Sequence, residues 1–315
     1  MQWFAQAPAN IALIKYMGKK DDALNIPANP SLSYTLNNLL TSVTLETQPG
    51  KKDFWEPLYI PGALPFTLSE SAQIRFLKHL GFLKQHFGYS GSFTVRSSNN
   101  FPHGSGLASS ASSFAALTIC TVRALCDCLK IPLPSVLEQA QLSRLGSGSS
   151  CRSFFSPWAI WEEEKVDNIE LPYTKLYHQV IIISHEEKNV PSSQAHELIK
   201  TSPLYAERPE RAKENLNVLL EALKAKAWAK AFEVCWQEFQ DMHQLFITCD
   251  KPFSYITDNT QLVLNNLKNF WEQYGDGPIV TMDAGPNIHL LYRPEQTEMA
   301  LQFKRDYLVG NYDVL

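Results

Sequence analysis

The stretch FPHGSGLASSAS, residues 101–112, poses the question on which the fold turns. It opens with Pro102, sets Gly104 and Gly106 around Ser105, then passes through Leu107 and Ala108 into Ser109 and Ser110. From Leu107 to about Leu129 the chain stays small and apolar, which reads as a buried helix. A helix leaves its first N–H groups unpaired and carries a charge of about +0.5 at that end. Glycines just upstream let a bulky anion approach the backbone, and serine hydroxyls add donors. The stretch is neither the Gly-Lys-Ser/Thr loop nor the GxGxxG turn. Local physics leaves two readings open, a plain helix cap or a cradle for phosphate.

The chain has 315 residues, of which 44% are hydrophobic and 19% charged. That supports a sizeable core in one large domain or two ordinary ones. A formal net charge of -4 gives no electrostatic reason to expect nucleic acid or an anionic membrane as partner. No apolar run approaches the roughly 18 residues of a spanning helix, and MQWFAQAPAN does not read as a signal peptide. The six cysteines are scattered, and Cys126 and Cys128 sit too close for a zinc knuckle. They read as free thiols in a reducing cytosol, so the expectation is a cytoplasmic protein with no protein-built metal site.

Hydrophobic periodicity orders the rest. IALIKYM (11–17) reads as a buried strand, and LTSVTLET (40–47) and SFTVRSS (92–98) alternate with period two. Ile74, Leu77, Leu80 and Leu83 recur at helical spacing over 70–88. QVIIIS (179–184) is a buried strand by composition, 207–247 forms one or two long amphipathic helices, and 260–274 forms another. PIVTMDAGPNIHLLY (278–292) reads as strand, Gly-Pro-Asn turn, strand. The first half is strand-rich around one helix and the second helix-rich around few strands, with a soft boundary near 170–175. This order predicts an α+β fold.

Three further stretches bear on the phosphate question: APANIALIKYMGKKD (7–21), SRLGSGSSCRSFF (143–155) and TMDAGPNIHLLY (281–292). With NNFPHGSGLASSAS (99–112) they resemble, in order along the chain, the mevalonate diphosphate decarboxylase family of the GHMP kinase superfamily. KNVPSSQAHE (188–197) and MHQLFITCDKPFSYITDNT (242–260) are weaker matches between them. The resemblance implies a two-domain GHMP kinase fold. Residues 1–173 would resemble the second domain of ribosomal protein S5 and carry the phosphate loop, and residues 174–315 would form a ferredoxin-like domain, with the active site in the cleft. It implies ATP-dependent decarboxylation of mevalonate 5-diphosphate to isopentenyl diphosphate, with magnesium bound through ATP rather than by the protein, and a homodimer.

The resemblance also assigns roles. Asp283 would be the base or orienter of the 3-hydroxyl, where local chemistry alone allows a turn-capping aspartate. Arg152 would clamp the substrate carboxylate, a task that suits its planar fork. Lys15 stands in an apolar run, where an unpaired ammonium is costly, and would pair with Asp283 or face the transferred phosphate. Gly104, Ser105, Gly106, Leu107, Ala108, Ser109 and Ser110 would hold ATP phosphates. Tyr16, Gly18, Lys19, Ser147, Gly148, Ser149, Ser150, Ser192 and Ser193 would contact the substrate, and the histidines receive no role. The sequence departs from the family at Met17, at His103-Gly104-Ser105, at Ser156-Pro157 and at Pro191. Ala72 stands where many relatives carry an arginine for the substrate phosphates, with Arg75 one turn on. Two rival readings remain: a phosphomevalonate decarboxylase or mevalonate-type kinase of the same fold, and a nucleotide-binding regulator. Arg152 with Asp283 argues against a simple kinase, and the retained Lys15 and Asp283 argue against a mere binder.

Overall fold

The computed structural model describes residues 1–60, 67–101, 109–186 and 188–315. Its first sheet is built from β1 (Gln2–Ile14), β4 (Ser31–Gln48), β5 (Phe54–Pro57), β6 (Ser92–Asn99), β7 (Trp158–Glu162) and β8 (Lys165–Asn168), while β2 (Lys19–Asp21) and β3 (Ile26–Pro27) form a small separate ribbon. The strand order is β5-β6-β4-β7-β8, with β1 paired along β4. Among the described residues only the β5–β6 pair of this sheet is parallel. The long β4 serves two neighbours on one edge: Thr41–Gln48 pairs with β6 and Ser31–Tyr34 with β7. Helices α1 (Glu70–Phe87), α2 (Ser109–Leu129) and α3 (Val136–Gly146) cover this sheet.

Helix α2 is the axis of this half. Ala111, Ala115 and Ala116 have no exposed surface, and their small side chains let the helix pack closely on β1 and β4. Two of its buried hydroxyls are bonded, as polar groups in an apolar layer usually are: Ser112 Oγ lies 2.7 Å from Thr41 Oγ1, and Thr118 Oγ1 donates to the Phe114 carbonyl at 2.8 Å. By length and a mean hydropathy of 1.4 this helix could span a membrane, contrary to the expectation from sequence. Some 72% of that window is buried inside the protein, so its apolar character is that of a core helix. Helix α1 is capped by Ser69, whose side chain accepts from the Ala72 N–H, and ends at Gly88 in the left-handed region at φ 71°. Within α1 Leu80 and Leu83 are buried, but Ile74 is 60% exposed and belongs to the surface.

The second sheet has the order β10-β11-β9-β12, from β9 (Tyr177–Ile182), β10 (Ile279–Met282), β11 (Ile288–Tyr292) and β12 (Asp313–Val314), all antiparallel. The helices of this half are α4 (Ser192–Leu198), α5 (Arg208–Lys224), α6 (Trp228–Thr248), α7 (Asp258–Tyr274) and α8 (Thr297–Phe303). The α+β expectation therefore holds. The β7–β8 hairpin, α3 and α8 were not anticipated, although α3 carries a capping box in Ser135 and Glu138.

One hydrophobic cluster runs through both sheets. Ile11 and Leu13 of β1 and Tyr34 and Leu36 of β4 join Val180, Leu216, Leu219, Ile279 and Leu291 in it. Helix α6 packs on both β1 and β10. The C-terminal end of β1 and the β10–β11 turn thus meet across buried apolar surface, which fixes the floor of the cleft. A separate cluster under α1 and α2 centres on Phe93, which is fully buried. Phe93→Ala should cost about 3–5 kcal/mol in urea unfolding, and Ile74→Ala less than about 0.5 kcal/mol. Equal costs for the two would contradict this packing.

Candidate active site

Strand β1 ends at Ile14, so Lys15 leaves the ladder at the junction of the two sheets. Its side chain is 2% exposed, and Nζ donates to Asp283 Oδ1 at 2.9 Å and to the Ala12 carbonyl at 2.6 Å. Burial pushes the ammonium pKa down, against the attraction of Asp283 and Glu238. Asp283 follows β10, and its side chain keeps 27% of its surface open. Burial alone would push this carboxyl up, but the charges of Lys15, His289 and Arg152 together hold it below the usual carboxylate range. The carboxylate is therefore ionised at neutral pH and still reachable. The turn behind it is pinned: Asn287 Oδ1 accepts from the Ile183 N–H at 2.8 Å, and His243 Nε2 donates to the Asp283 carbonyl at 3.2 Å.

Arg152 comes from the 3-10 turn Gly148–Phe154 and is 3% exposed. Its Nη1 donates to Ser31 Oγ at 2.8 Å and its Nε to Asn10 Oδ1 at 3.2 Å, with the guanidinium over the Trp161 ring at 5.7 Å. One side of the fork is thus fixed, and among the described residues no acceptor meets Nη2. Such a group can take a carboxylate from the cavity without first reorganising. Asn10 is itself held, donating to Ser153 Oγ at 2.8 Å and the Ser149 carbonyl at 3.2 Å.

Both groups line a cavity of about 350 Å³. Most of the expected residues are brought together there: Lys15, Tyr16, Lys19, Ser109, Ser110, Ser147, Gly148, Ser149, Arg152, Ser192, Ser193 and Asp283. Ser109 and Ser110 begin α2, so the cradle reading has its helix N-terminus facing the cavity. Gly104, Ser105, Gly106, Leu107 and Ala108 lie outside the described residues. Gly148 must be glycine, since a Cβ there would come within 2.6 Å of the Tyr16 hydroxyl.

Two expected contacts stand behind the wall. Ser150 is fully buried, and its hydroxyl is committed to Ser143 Oγ at 2.6 Å and the Ser147 carbonyl at 2.7 Å, so it braces the turn rather than facing a ligand. Gly18 sits at φ 97°, against Tyr205, and its N–H donates to His196 Nδ1 at 2.9 Å. Lys188 and His196 are among the cavity residues that sequence reasoning missed. Lys188 donates to Ser192 Oγ and to the Ala284 carbonyl, each at 2.7 Å, and burial pushes its pKa down to about 8. His196 lines the same wall beside Tyr16, with ring centroids 4.7 Å apart, and burial keeps it neutral with a pKa of about 3. Both lie in the stretch KNVPSSQAHE, where a lysine four residues before a serine at a helix start was the available signal. Arg75 lines the cavity near Ala72, its guanidinium 5.5 Å from the Phe114 ring centroid.

Among the described residues no cluster of three histidine, cysteine, aspartate or glutamate side chains could hold a metal by itself. All six cysteines are unpaired.

The comparisons with known proteins agree with this geometry. Residues 7–169 match the model of the diphosphomevalonate decarboxylase-like N-terminal domain, and residues 179–313 that of the mevalonate 5-diphosphate decarboxylase C-terminal domain. The diphosphomevalonate decarboxylase of Saccharomyces cerevisiae is 30% identical over 323 residues, spanning 94% of this chain and 79% of the relative. The crystal structure of a mevalonate diphosphate decarboxylase from Legionella pneumophila is 65% identical, covers 100% of both chains and superposes with a TM-score of 0.95. A structure described as MDDEF in complex with MVAPP, AMPPCP and magnesium is 27% identical, with a TM-score of 0.85 over 100% of this chain and 96% of that one. With the GHMP kinase fold, both domain models and these relatives in agreement, the chain belongs to the diphosphomevalonate decarboxylase family.

Proposed function

We propose that this chain catalyses the ATP-dependent decarboxylation of mevalonate 5-diphosphate to isopentenyl diphosphate, releasing ADP, phosphate and CO2. The observation that carries this reading is the convergence of a reachable carboxylate, Asp283, and a half-committed buried guanidinium, Arg152, in one cavity. A simple kinase needs the first and has no use for the second. Asp283 receives or orients the proton of the 3-hydroxyl. Lys15 holds that carboxylate ionised and aimed, and Arg152 fixes the substrate carboxylate so that it departs as CO2 when the tertiary phosphate leaves.

The cavity offers a fit for a magnesium nucleotide. The α2 N-terminus contributes Ser109 and Ser110, and Lys188 supplies a cation to the same cavity. ATP with Mg2+ would provide the phosphoryl group and neutralise its charge. A relative has been solved with AMPPCP and magnesium, which supports this assignment. The loop Gly104–Ser110 is its proposed cradle. Tyr16, Lys19, Ser147, Gly148, Ser149, Ser192 and Ser193 contact the mevalonate diphosphate, with Gly18 and Ser150 supporting them from behind. Residues 1–173 and 174–315 are the proposed domains. Cytoplasmic residence and a homodimer complete the reading.

Product analysis tests the function directly. With ATP and magnesium, mevalonate 5-diphosphate should release ADP and CO2 in equal amounts, and 5-phosphomevalonate should turn over with a lower kcat/KM. ADP without CO2 from every compound would mean a kinase, and a preference for the monophosphate would move the enzyme to a different mevalonate route. Asp283→Asn keeps the shape and removes the charge, so kcat should fall by about 10²–10⁴-fold with ATP affinity little changed. Near-wild-type turnover would end the assignment of Asp283 as base.

Lys188 gives a pH signature. Its pKa is lowered to about 8, so its positive charge is present below that value and lost as pH rises through it. The free enzyme should therefore lose kcat/KM above about pH 8, and Lys188→Met should remove that limb while lowering kcat/KM at neutral pH about ten- to a hundredfold. An unchanged limb in the variant would detach Lys188 from phosphate binding.

A further inference from the structure

The main-chain groups of Lys15, outside the β-ladder, are both held by side chains. The Asn29 Nδ2 donates to its carbonyl at 2.8 Å, and its N–H donates to Glu238 Oε1 at 3.0 Å. The second choice is chemically expensive. Glu238 is fully buried in the middle of α6, and a buried carboxylate costs far more than the neutral carbonyl or amide that would satisfy one N–H equally well. The fold supports that charge with an elaborate set of partners. Arg208, also fully buried, grips both carboxylate oxygens, Nη1 meeting Oε2 at 3.0 Å and Nη2 meeting Oε1. Asn215 Nδ2 donates to Oε2 at 2.7 Å, and Asp241 takes the other side of Arg208 at 2.8 Å. Every lone-pair position of Glu238 is thus used, and one of those bonds crosses from the second half of the chain to the residue that steers Asp283.

We propose that Glu238, anchored by Arg208, is a positioning residue for the decarboxylation: it fixes the main chain of Lys15 and, through its charge, keeps the Lys15 ammonium protonated against Asp283. The inference rests on the roles given above to Lys15 and Asp283. Lys15 is faced by Asp283 from the β10–β11 turn and by Glu238, Cys235 and His243 from α6, while His289 and Arg152 act on it through Asp283. Glu238 is the second carboxylate of this set. Cys235 is buried with its thiol pKa pushed up, and His243 is buried and neutral, so neither can replace that charge. Removing it leaves burial to push the Lys15 ammonium further down, so its charge is lost at a lower pH than in the wild type.

The sign follows directly. Lys15 is competent when protonated, so its contribution is lost as pH rises, and a lower pKa brings that loss to lower pH. Glu238→Gln keeps shape and the Lys15 N–H acceptor but removes the charge. The alkaline limb of kcat, read at saturating mevalonate 5-diphosphate and ATP, should move toward neutrality by about one pH unit, the effect of a close opposite charge. Turnover at the wild-type optimum should fall by about tenfold. Saturation matters because bound phosphate holds Lys188 protonated and keeps its own limb out of the measurement. Glu238→Asp retains the charge and should leave the limb where the wild type has it. If the Gln variant fails to fold with Arg208 left unmatched, Glu238→Gln with Arg208→Met removes both charges and should move the limb in the same direction by a smaller amount, since the lost guanidinium partly offsets the lost carboxylate. A folded variant with a lower melting temperature but a wild-type kcat limb would reduce Glu238 to a structural residue and overturn the proposal. Asp283→Asn runs alongside as the control. If that variant is active, the reading of the dyad fails; if it is inactive while Glu238→Gln keeps the wild-type limb, only the inference about Glu238 fails.

Discussion

An ammonium group with almost no exposed surface needs a carboxylate, and in this protein that need joins the two halves of the chain. Lys15 reaches the cleft at the end of β1, and Asp283 arrives from the turn after β10, 268 residues away in sequence. Breaking such a pair by removing one member costs about 3–5 kcal/mol, because the survivor is left buried without compensation. The same pair sets the chemistry: the lysine keeps the carboxylate ionised, and the remaining open surface of Asp283 gives it access to a ligand. Stability and reactivity are thus drawn from one contact. Everything around it has the character of support, from the bond between His243 and the Asp283 carbonyl to the Thr281 hydroxyl donating to the Ala12 carbonyl at 3.3 Å.

The cavity divides its work by charge. Cations line it at Lys19, Lys188, Arg75 and Arg152, and neutral donors fill the gaps between them at Ser109, Ser110, Ser147, Ser149, Ser192 and Ser193. Burial holds Lys19 and Lys188 below the usual lysine pKa. Arg152 behaves differently. With Asn10 and Ser31 holding one side, it is pre-set toward the cavity and has little rotamer freedom left to lose on binding.

Much of this was legible in the sequence because the informative residues are local. The Gly-Ser run before a small, apolar helix, the strand-turn-strand around Gly285, Pro286 and Asn287, and the lysine inside an apolar run each carry their physics within a few residues. What escaped depends on neighbours far away in the chain. The partners of Arg152 lie 142 and 121 residues off, and that of the Lys15 N–H 223 residues off. Ser150 was misread for a related reason: successive side chains of a helical turn point different ways, so a run of four cannot all face one ligand, and the one turned inward became a brace. Ile74 fits the helical spacing of its segment yet lies outside, because α1 is covered on one face only.

The hydrophobic cluster that β1 shares with the second sheet has a consequence for how such chains diverge. Ile11 and Leu13 pack in one cluster with Leu216 and Leu219 of α5 and Ile279 of β10, so the first strand is as much a part of the C-terminal half as of its own sheet. A change of volume at either position must be accommodated on both sides of the connection near residue 170. Exchange of halves between relatives at that connection would split a jointly fitted set of side chains. The workable unit of inheritance for the second half is residues 177–315 together with β1, a combination that is continuous in space and broken in sequence.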